Sequence, residues 1–278
     1  MAPFIIRQDV ALSVSIVTFR PDLGQLEATI RSLAQAGQAC DPVIRLSLTL
    51  IDNTPGEAAS DGISFRQSLN TWFGDDVQLV RCPENPGFGV GHNRGLSELG
   101  RYHLILNPDV ELQTDALSIA MSFMTSHLEC GLLAPVRVDA EGRPQSLCKR
   151  YPSVLVLLLR GFAPGFVRAL FPERLARYEM RDKLSSDVLW DPPIISGCFM
   201  LFRSEVLNQL GGFDPRFFLY FEDDDISLRT GEISRIARVP QVRIIHHGGH
   251  AARKGLRHIA IFARSAVKFF SKHGWSWL

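Results

Sequence analysis

The sequence predicts an α/β fold in which helices cover the faces of a parallel sheet. Short β-branched runs alternate with segments of helical periodicity, a pattern typical of parallel sheets. Polar residues follow several of these runs where each run ends, and parallel sheets bind ligands beyond the carboxyl ends of their strands. The length of 278 residues, 46% of them hydrophobic, suffices for one large domain or for two fused halves.

Charge and cysteine content argue against several classes of protein. A formal net charge of +1 gives no reason to expect a nucleic-acid partner. The five cysteines are scattered without a Cys-x-x-Cys pair, which argues against a zinc site or a secreted disulfide framework and favours a reducing compartment. The longest apolar run, residues 154–159, is far below the roughly 18 residues of a spanning helix, and we find no signal peptide. We expect a soluble protein, attached at most to a membrane surface.

The elements of the first half are the clearest. Residues 12–18 form a β-branched run that predicts a strand, and Leu26, Ile30 and Leu33 recur at helical spacing before Gly37, which predicts a helix. The other elements predicted as far as residue 110 are strands at 46–51, 77–80 and 103–106 and a helix at 65–73.

The second half shows fewer clear patterns. Residues 140–192 mix prolines, arginines and apolar residues, and we expect them to form a mobile loop or a flap on the acceptor side. The elements predicted around them are helices at 116–123 and 204–210 and strands at 131–136, 194–202 and 242–245.

Polar residues mark the carboxyl ends of three predicted strands. Each is also a common turn residue, so a turn alone would explain any one of them. Their convergence on one edge of the sheet predicts a ligand site. These residues are Thr18, Arg20, Asp52, Asn53, Asn107 and Asp109.

A glycine-rich segment, residues 85–95, lies between the third and fourth of the predicted strands. Its glycines would let the backbone approach a ligand, and a helix starting there would present free N–H groups to an anion. A Gly-x-Gly-x-x-Gly fingerprint beginning at Gly87 or Gly89 would need glycine in place of His92 or Arg94. A nicotinamide cofactor is therefore not expected.

Four consecutive carboxylates, residues 222–225, follow an aromatic run. A solvated acidic helix start explains them, because carboxylates favour the first turn of a helix. The apolar residues before them favour a second interpretation, in which Glu222 and Asp223 lie at the lip of a cleft. A carboxylate in that position could accept a proton from a substrate.

Two segments contain candidate metal ligands. Asp109 ends an apolar strand, and a divalent cation on a diphosphate needs only one or two carboxylates; an Asn-Pro-Asp turn explains the same residue equally well. His246, His247 and His250 fall within five residues and suit a metal or a phosphate. For any one of them, a plain loop position is the simpler explanation.

Residues 253–278 are basic and amphipathic. With Trp275 and Trp277, the pattern fits an interfacial membrane anchor, and it fits equally a helix whose apolar side packs on the domain. At helical periodicity the apolar face comprises Ile259, Phe262, Ala266, Phe269 and Phe270, and the opposite face comprises Arg257, Arg264, Lys268 and Lys272.

An ordered series of short motifs spans roughly residues 12–250. Each motif is weak alone, but their order along the chain is specific. The series consists of residues 14–19 (Val-Ser-Ile-Val-Thr-Phe), 51–53 (Ile-Asp-Asn), Asn85-x-Gly87-Phe88-Gly89 with Asn93-x-Gly95, 106–109 (Leu-Asn-Pro-Asp), Gly197, 212–214 (Gly-Phe-Asp) with Phe217-Phe218, Glu222-Asp223-x-Asp225 with Arg229, and 246–249 (His-His-Gly-Gly).

Taken together, these motifs resemble the family 2 inverting glycosyltransferases of GT-A fold, in particular their bacterial rhamnosyltransferase-like branch. The resemblance implies a mostly parallel twisted sheet flanked by helices, with a Rossmann-like nucleotide-binding half fused to an acceptor half. It implies a single domain at 1–250, divided into a nucleotide-sugar half (1–110) and an acceptor and catalytic half (111–250). A basic amphipathic helix at 251–278 would follow.

The resemblance also assigns roles to residues. Asp223, beside Glu222, would be the general base, and Asp109 with His246 and His247 would hold a Mg²⁺ or Mn²⁺ ion on the donor diphosphate. The donor side would comprise Thr18, Phe19, Arg20, Asp52, Asn53, Gly87, Phe88, Asn93 and Asn107, and the acceptor side Gly197 and Cys198.

The substrates implied by the resemblance are a nucleotide sugar, with dTDP-rhamnose favoured, and a bacterial cell-surface or lipid-linked glycan. The reaction would take place in the cytoplasm, at the inner face of the bacterial plasma membrane, which residues 253–278 would contact. A transferase using a UDP- or GDP-sugar and a non-catalytic glycan- or nucleotide-binding module remain open alternatives. The oligomeric state also stays open, with a homodimer included.

Overall fold

The computed structural model describes residues 4–56, 63–139, 141–248 and 256–278. No helix in these ranges is both long and apolar enough to cross a membrane. The strands are β1 (Ile5–Ile6), β2 (Leu12–Thr18), β3 (Leu46–Asp52), β4 (Val77–Arg81), β5 (Glu98–Leu99), β6 (Tyr102–Leu106), β7 (Val110–Leu112), β8 (Cys130–Val138), β9 (Pro144–Gln145), β10 (Cys148–Lys149), β11 (Leu189–Trp190), β12 (Ile194–Ile195), β13 (Phe199–Arg203) and β14 (Arg235–His246). The helices are α1 (Leu23–Gln38), α2 (Ile63–Phe73), α3 (Phe88–Arg94), α4 (Ala116–Ser126), α5 (Val154–Phe162), α6 (Gly165–Arg168), α7 (Pro172–Tyr178), α8 (Ser204–Leu210), α9 (Glu222–Ile233) and α10 (Leu256–His273), with a turn of 3₁₀ helix at Arg181–Lys183.

The central sheet carries the first half of the chain on parallel strands. Its order is β11-β14-β8-β13-β6-β2-β3-β4, and β6, β2, β3 and β4 run parallel to one another. The strand predicted at 12–18 is confirmed to the residue as β2, and all seven of its residues are buried, an environment that β-branched side chains fit well. The carboxyl ends of β2 and β3 therefore lie side by side, with Thr18 opposite Asp52.

The second half of the chain makes the sheet mixed. β13 runs antiparallel between β6 and β8, whereas β14 runs parallel to β8. The single strand predicted at 194–202 is wrong, because β12 pairs with β10 in a separate ribbon while β13 joins the central sheet. Both parts of this run are buried, so hydrophobicity alone did not indicate where the chain passes from one sheet to the other.

The segment expected to be a mobile loop, residues 140–192, contains helices α5, α6 and α7. The side chain of Ser153 accepts a hydrogen bond from the N–H of Val156 and so caps α5, and Pro172 occupies the first position of α7, where proline is favoured. The prediction of a loop is wrong. These helices contain too few turns for their apolar residues to show a recognisable helical period in the sequence. The role of the segment as an acceptor-side flap stays a prediction.

Helix α10 packs its apolar face on the domain. Phe269 and Phe270 are 0% and 2% exposed and pack with Phe217 and Phe221 in a hydrophobic cluster. These contacts support the packing interpretation for this face over the membrane interpretation. Lys272, predicted on the face opposite the apolar residues, nevertheless reaches the buried carboxylate of Asp225 with its ammonium group. Residues 253–255 of the predicted tail lie outside the described residues.

The predicted division into a nucleotide-sugar half and an acceptor half stays a prediction. The sheet continues across residue 110, since β13 of the second half pairs with β6 of the first. One hydrophobic cluster also combines side chains from both halves, among them Leu104 and Phe199. The two predicted halves therefore share one sheet and one hydrophobic core.

Candidate active site

The carboxyl ends of β2 and β3 form the first part of the site. Thr18, Asp52 and Asn53 are 1 to 2% exposed, and the backbone N–H of Asn53 donates a 2.9 Å hydrogen bond to the carbonyl of Thr18. The Asp52 carboxylate accepts a hydrogen bond from the N–H of Thr54 at 2.8 Å and another from Nη1 of Arg81 at 3.0 Å. The protein therefore orients both oxygens of Asp52 before any ligand binds.

The rim of this edge is formed by Phe19 and Arg20. Phe19 is 50% exposed, and the guanidinium of Arg20 lies 5.5 Å from the centre of its ring. Arg20 has a φ of 49°, a left-handed conformation that is uncommon for residues other than glycine, and its N–H binds Oγ1 of Thr54 at 2.8 Å. An exposed aromatic ring beside a cation suits a base or ribose at the surface of the cleft.

The glycine-rich segment connects the two predicted halves. Nδ2 of Asn53 donates to the carbonyl of Gly87 at 3.1 Å, and the N–H of Phe88 donates to the carbonyl of Phe218 at 3.0 Å. A Cβ atom at Gly87 would overlap the carbonyl oxygen of Phe218, and the residue has a φ of 95°. Glycine is required here by both the close approach and the backbone conformation.

Asn93 makes a second connection between the same segments. Its side chain accepts a hydrogen bond from the N–H of Phe213 at 2.9 Å and donates one to the carbonyl of that residue at 2.8 Å. The amide oxygen and the amide nitrogen of Asn93 therefore both bind the protein backbone rather than a ligand. Asn93 holds the start of the 213–221 loop, which leads into the acidic helix.

The acidic helix α9 begins after two residues in an unusual conformation. Tyr220 and Phe221 have φ values of 71° and 67°, a strained region for aromatic residues that the surroundings must hold. Phe221 packs against Phe262 and Phe269, with ring centres 5.1 Å apart in both pairs. Helix α10 thus contributes directly to the turn that presents the carboxylates.

The four carboxylates differ in exposure. Asp223 is half-buried, whereas the carboxylates of Glu222, Asp224 and Asp225 are buried. The expectation that Glu222 lies at the lip of a cleft is wrong, because it is only 5% exposed. Asp223 has Oδ2 3.0 Å from the backbone N–H of Gly197 and Oδ1 3.0 Å from that of Asp224.

Burial and charge act together on the groups around Asp223. Burial raises the pKa of Asp224 to about 6 although Lys149 opposes it, and Nζ of Lys149 lies 3.6 Å from Oδ1 of Asp224. Burial, followed by the charge of Asp223, raises the pKa of Glu222 well above its usual range. Burial lowers the pKa of Lys149, but the carboxylates of Asp224 and Asp223 outweigh it and raise the pKa overall. Lys149 thus faces the acidic turn with its ammonium group.

The carboxylate of Asp225 lies among three basic side chains. It is fully buried and contacts Nε of Arg229 at 2.8 Å, Nζ of Lys272 at 2.5 Å and Nε2 of His273 at 2.8 Å. Lys272 also contacts Asp214 at 2.8 Å. These pairs join α10 to the acidic helix α9 by polar contacts as well as by apolar packing.

The predicted metal ligands separate into two groups. Nε2 of His246 lies 3.3 Å from Oδ1 of Asp109, while Nε2 of His247 lies 2.6 Å from Oε1 of Glu111. Burial lowers the pKa of His246, but Asp109 and Cys198 outweigh it and raise that pKa to about 10. The described ranges contain no group of three or more His, Cys, Asp or Glu side chains that could hold a metal, and His250 lies outside the described residues.

Asp109 and His246 nevertheless fit a cation that is held mainly by a diphosphate. Oδ1 of Asn107 is buried without a hydrogen-bond partner among the described residues, and buried polar atoms are normally satisfied. Oδ1 of Asp109 is also buried and lies 3.3 Å from Nε2 of His246. A Cβ atom at Gly248 would overlap Oδ2 of Asp109, so glycine keeps this carboxylate accessible to a small group. One carboxylate and water ligands suffice for a cation bound to phosphate oxygens.

The acceptor-side prediction separates Gly197 from Cys198. Gly197 contacts Asp223 through its N–H. Cys198 is 2% exposed, and its carbonyl accepts the N–H of Asn107 at 2.9 Å. The side chain of Cys198 is therefore buried, next to His246, and an acceptor-side role for it stays a prediction.

Two functional candidates are absent from the sequence-based set. Arg81 ends β4 and orients Asp52, and the same rule about the carboxyl ends of strands could have found it. Lys149 faces the acidic turn from β10. No local signal points to Lys149, because its role depends on the pairing of β10 with β12.

No protein-family model matches the chain. Among curated relatives, the N-acetylglucosaminyl-diphospho-decaprenol L-rhamnosyltransferase of Mycobacterium tuberculosis is 26% identical over 284 aligned positions, which cover 96% of this chain and 86% of the relative. The rhamnosyltransferase WbbL of Escherichia coli K12 is 28% identical over 178 positions, which cover 60% of this chain and 63% of the relative.

Solved structures share the fold. GalNAc-T7 with UDP, GalNAc and Mn²⁺ superposes with a TM-score of 0.65 at 14% identity, covering 94% of this chain and 48% of its own, so this chain spans about half of that protein. Staphylococcus aureus TarS 1-349 in complex with UDP superposes with a TM-score of 0.56 at 15% identity, covering 94% of this chain and 66% of its own. The predicted GT-A fold is confirmed by these structures, and the similarity to named rhamnosyltransferases supports a glycosyltransferase.

Proposed function

We propose that the protein transfers rhamnose from dTDP-rhamnose to a hydroxyl group of a lipid-linked or cell-surface glycan, with inversion at the anomeric carbon. The relative from M. tuberculosis is named for rhamnosyl transfer to N-acetylglucosaminyl-diphospho-decaprenol, and the relative from E. coli is named a rhamnosyltransferase. The similarity to the first relative covers nearly the whole chain, which supports carrying its donor and acceptor classes to this protein. The reaction would take place in the cytoplasm at the inner face of the bacterial membrane.

The observation that carries the proposal is the position of Asp223. It is the half-exposed carboxylate of the acidic turn, and backbone N–H groups of Gly197 and Asp224 orient its oxygens. In the proposed mechanism Asp223 takes the proton of the acceptor hydroxyl as that oxygen attacks the anomeric carbon. A positioned base of this kind typically contributes about 10²- to 10⁴-fold to the rate.

The donor would lie over the carboxyl ends of β2, β3 and β4. Phe19 and Arg20 would contact the base from the rim, and Asp52, oriented by Arg81, would bind the base or ribose. Asn53 and Gly87 would then hold the backbone of the glycine-rich segment beside the sugar. The base and the sugar recognised by these residues are part of the proposal.

Asp109 and His246 would hold a Mg²⁺ or Mn²⁺ ion on the donor diphosphate, with Asn107 beside them. Such an ion would neutralise the charge that develops on the departing nucleoside diphosphate. His247 contacts Glu111 instead, so we leave it out of the ligand set. The structure of GalNAc-T7 carries Mn²⁺ and UDP, which supports a divalent ion for the shared fold.

The proposal is tested by the replacement Asp223→Asn. Donor binding is measured by calorimetry with dTDP-rhamnose, a UDP-sugar and a GDP-sugar, and transfer is measured on a short-chain N-acetylglucosaminyl-diphospho-lipid. We expect turnover to fall by about 100-fold or more, with unchanged donor affinity. Glu232→Gln is the matched control, since it removes an exposed carboxylate from the same helix, and it should behave as the wild type.

Retained turnover in Asp223→Asn would overturn the assignment of the base. Binding of a UDP- or GDP-sugar in preference to dTDP-rhamnose would overturn the donor assignment. A wild-type protein that binds a nucleotide sugar without transferring or hydrolysing it would be a non-catalytic binding module.

A further inference from the structure

Helices α5 to α7 expose large apolar side chains to solvent. Leu158 is 52% exposed, Phe166 74%, Leu170 72% and Phe171 39%. Three of these residues fall within six positions of the chain: Phe166 lies on α6, and Leu170 and Phe171 lie between α6 and α7. Exposed apolar side chains grouped in this way mark an interaction surface.

Two tryptophans adjoin this group. The N–H groups of Val154 and Leu155, at the start of α5, donate to the carbonyls of Ser276 and Trp277 at 2.8 and 3.2 Å. The rings of Trp275 and Trp277 are stacked with centres 5.2 Å apart and are 47% and 63% exposed. Exposed indole rings beside apolar residues are typical of the interface between hydrocarbon and water.

The same region is basic. Residues 154–183 contain six basic and three acidic side chains, and two of the acids already pair with arginines. Arg168 and Arg174 are exposed, and no ion pair forms at either one within the described ranges. Arginines of this kind place their apolar stems on a hydrophobic surface and direct the charge to anionic groups.

The surface is also connected to the acidic turn. The carbonyl of Tyr178, at the end of α7, accepts the N–H of Arg150 at 2.8 Å. The preceding residue, Lys149, faces Asp224 at 3.6 Å. Two adjacent residues of the chain, Lys149 and Arg150, therefore link the acidic turn to the end of α7.

We propose that the surface formed by Leu158, Phe166, Leu170, Phe171 and Trp277, together with Arg168 and Arg174, docks on an anionic lipid bilayer. Apolar and aromatic side chains enter the interface, and the arginines neutralise lipid headgroups. Of the contact predicted through residues 253–278, this surface keeps Trp277 but not Phe269 and Phe270, which α10 buries in the domain. The evidence for this binding surface is the exposure and the charge of its side chains. Only its purpose, which is access to a lipid-linked acceptor, rests on the proposed function.

The test is flotation of the protein with vesicles of phosphatidylcholine, with and without phosphatidylglycerol. We expect wild-type protein to bind the anionic vesicles. The double variant F166S/L170S should bind at least about tenfold more weakly, and R168Q/R174Q should lose about tenfold on anionic vesicles only. The control V43S/L128S changes residues that are 68% and 75% exposed elsewhere and should bind as the wild type, as should R257Q/R264Q on α10.

If wild-type protein binds neither kind of vesicle, the proposal is overturned, and the surface would be assigned to a protein partner instead. The proposal is also overturned if V43S/L128S loses as much vesicle binding as F166S/L170S does, or if only R257Q/R264Q loses vesicle binding. Unchanged thermal unfolding of each variant shows that the fold is intact. Transfer to a water-soluble acceptor separates the two proposals: F166S/L170S should retain it, and a wild type that binds vesicles without any transfer contradicts the function but not the surface.

Discussion

The backbone N–H of Gly197 donates a 3.0 Å hydrogen bond to Oδ2 of Asp223 and so joins the segment before β13 to the first turn of α9. A Cβ atom at Gly197 would lie 3.1 Å from Cβ of Asp223 and 3.5 Å from Cε1 of Phe88. The position of the proposed base therefore depends on a contact that only glycine permits without displacement. Small displacements of a reacting group are costly to the rate.

The variant Gly197→Ala should lower kcat by about tenfold, because the added methyl displaces Asp223 by a few tenths of an ångström. Donor affinity, measured by calorimetry, should stay unchanged. Gly231→Ala is the control on α9: no atom lies within 4 Å of its Cβ position, so kcat should stay at the wild-type value while unfolding free energy rises by about 0.5–1 kcal/mol. Equal rates in both variants would show that Asp223 does not depend on this contact.

The variant Arg81→Gln should raise the Kd for the nucleotide sugar by about tenfold, since Asp52 loses a charge-assisted hydrogen bond that orients it. The kcat at saturating donor should change little, because Arg81 lies away from the acidic turn. Arg94→Gln, which removes a surface arginine paired with Glu84, provides the matched loss of charge. Wild-type donor affinity in Arg81→Gln would contradict the proposed placement of the base or ribose.

Removal of divalent ions by a chelator should abolish transfer, and added Mg²⁺ or Mn²⁺ should restore it. His246→Gln should raise the metal concentration for half-maximal activity by about tenfold or more, because His246 lies beside Asp109. His247→Gln should match the wild type, because that ring contacts Glu111. Full activity in the chelator would exclude an essential metal.

Two buried histidines should make the fold sensitive to acid. Burial lowers the pKa of His103 to about 3, and burial together with His103 lowers the pKa of His92 well below its usual value. Ser15 lies between the two rings, within hydrogen-bond distance of both. Below the ordinary histidine pKa of 6.5, the unfolded chain binds protons that the folded chain does not, so unfolding free energy should fall as the pH decreases from 6.5 towards 3.

His103→Gln should reduce the slope of this loss by about 1.4 kcal/mol per pH unit around pH 5, measured by urea unfolding at a series of pH values. The variant will also lose stability at neutral pH because it breaks buried hydrogen bonds, so the slope and not the level is the informative quantity. An unchanged slope would mean that His103 titrates normally in the folded protein.

Elements with local start and stop signals could be predicted from the sequence. Helix α8 is confirmed at residues 204–210 because Gly211, with a φ of 70°, ends it in the conformation that glycine favours. Positions that depend on distant partners could not be predicted in this way. Helical periodicity placed Lys272 on the face opposite the apolar residues, but its flexible side chain reaches the buried carboxylate of Asp225. The contacts between Lys149 and Asp224 and between Arg81 and Asp52 could not be predicted for the same reason, because each joins residues that are far apart in the sequence.

The contacts between α9 and α10 form only after the last part of the chain has been synthesised. Lys272 follows Asp225 by 47 positions, so the acidic helix leaves the ribosome well before Lys272 and His273, its partners on α10, are available. Until α10 emerges, the Phe217 and Phe221 rings also lack the phenylalanines that cover them. We expect a nascent chain stalled before residue 256 to be a client for chaperones, and the acidic turn to mature only as the last helix is made.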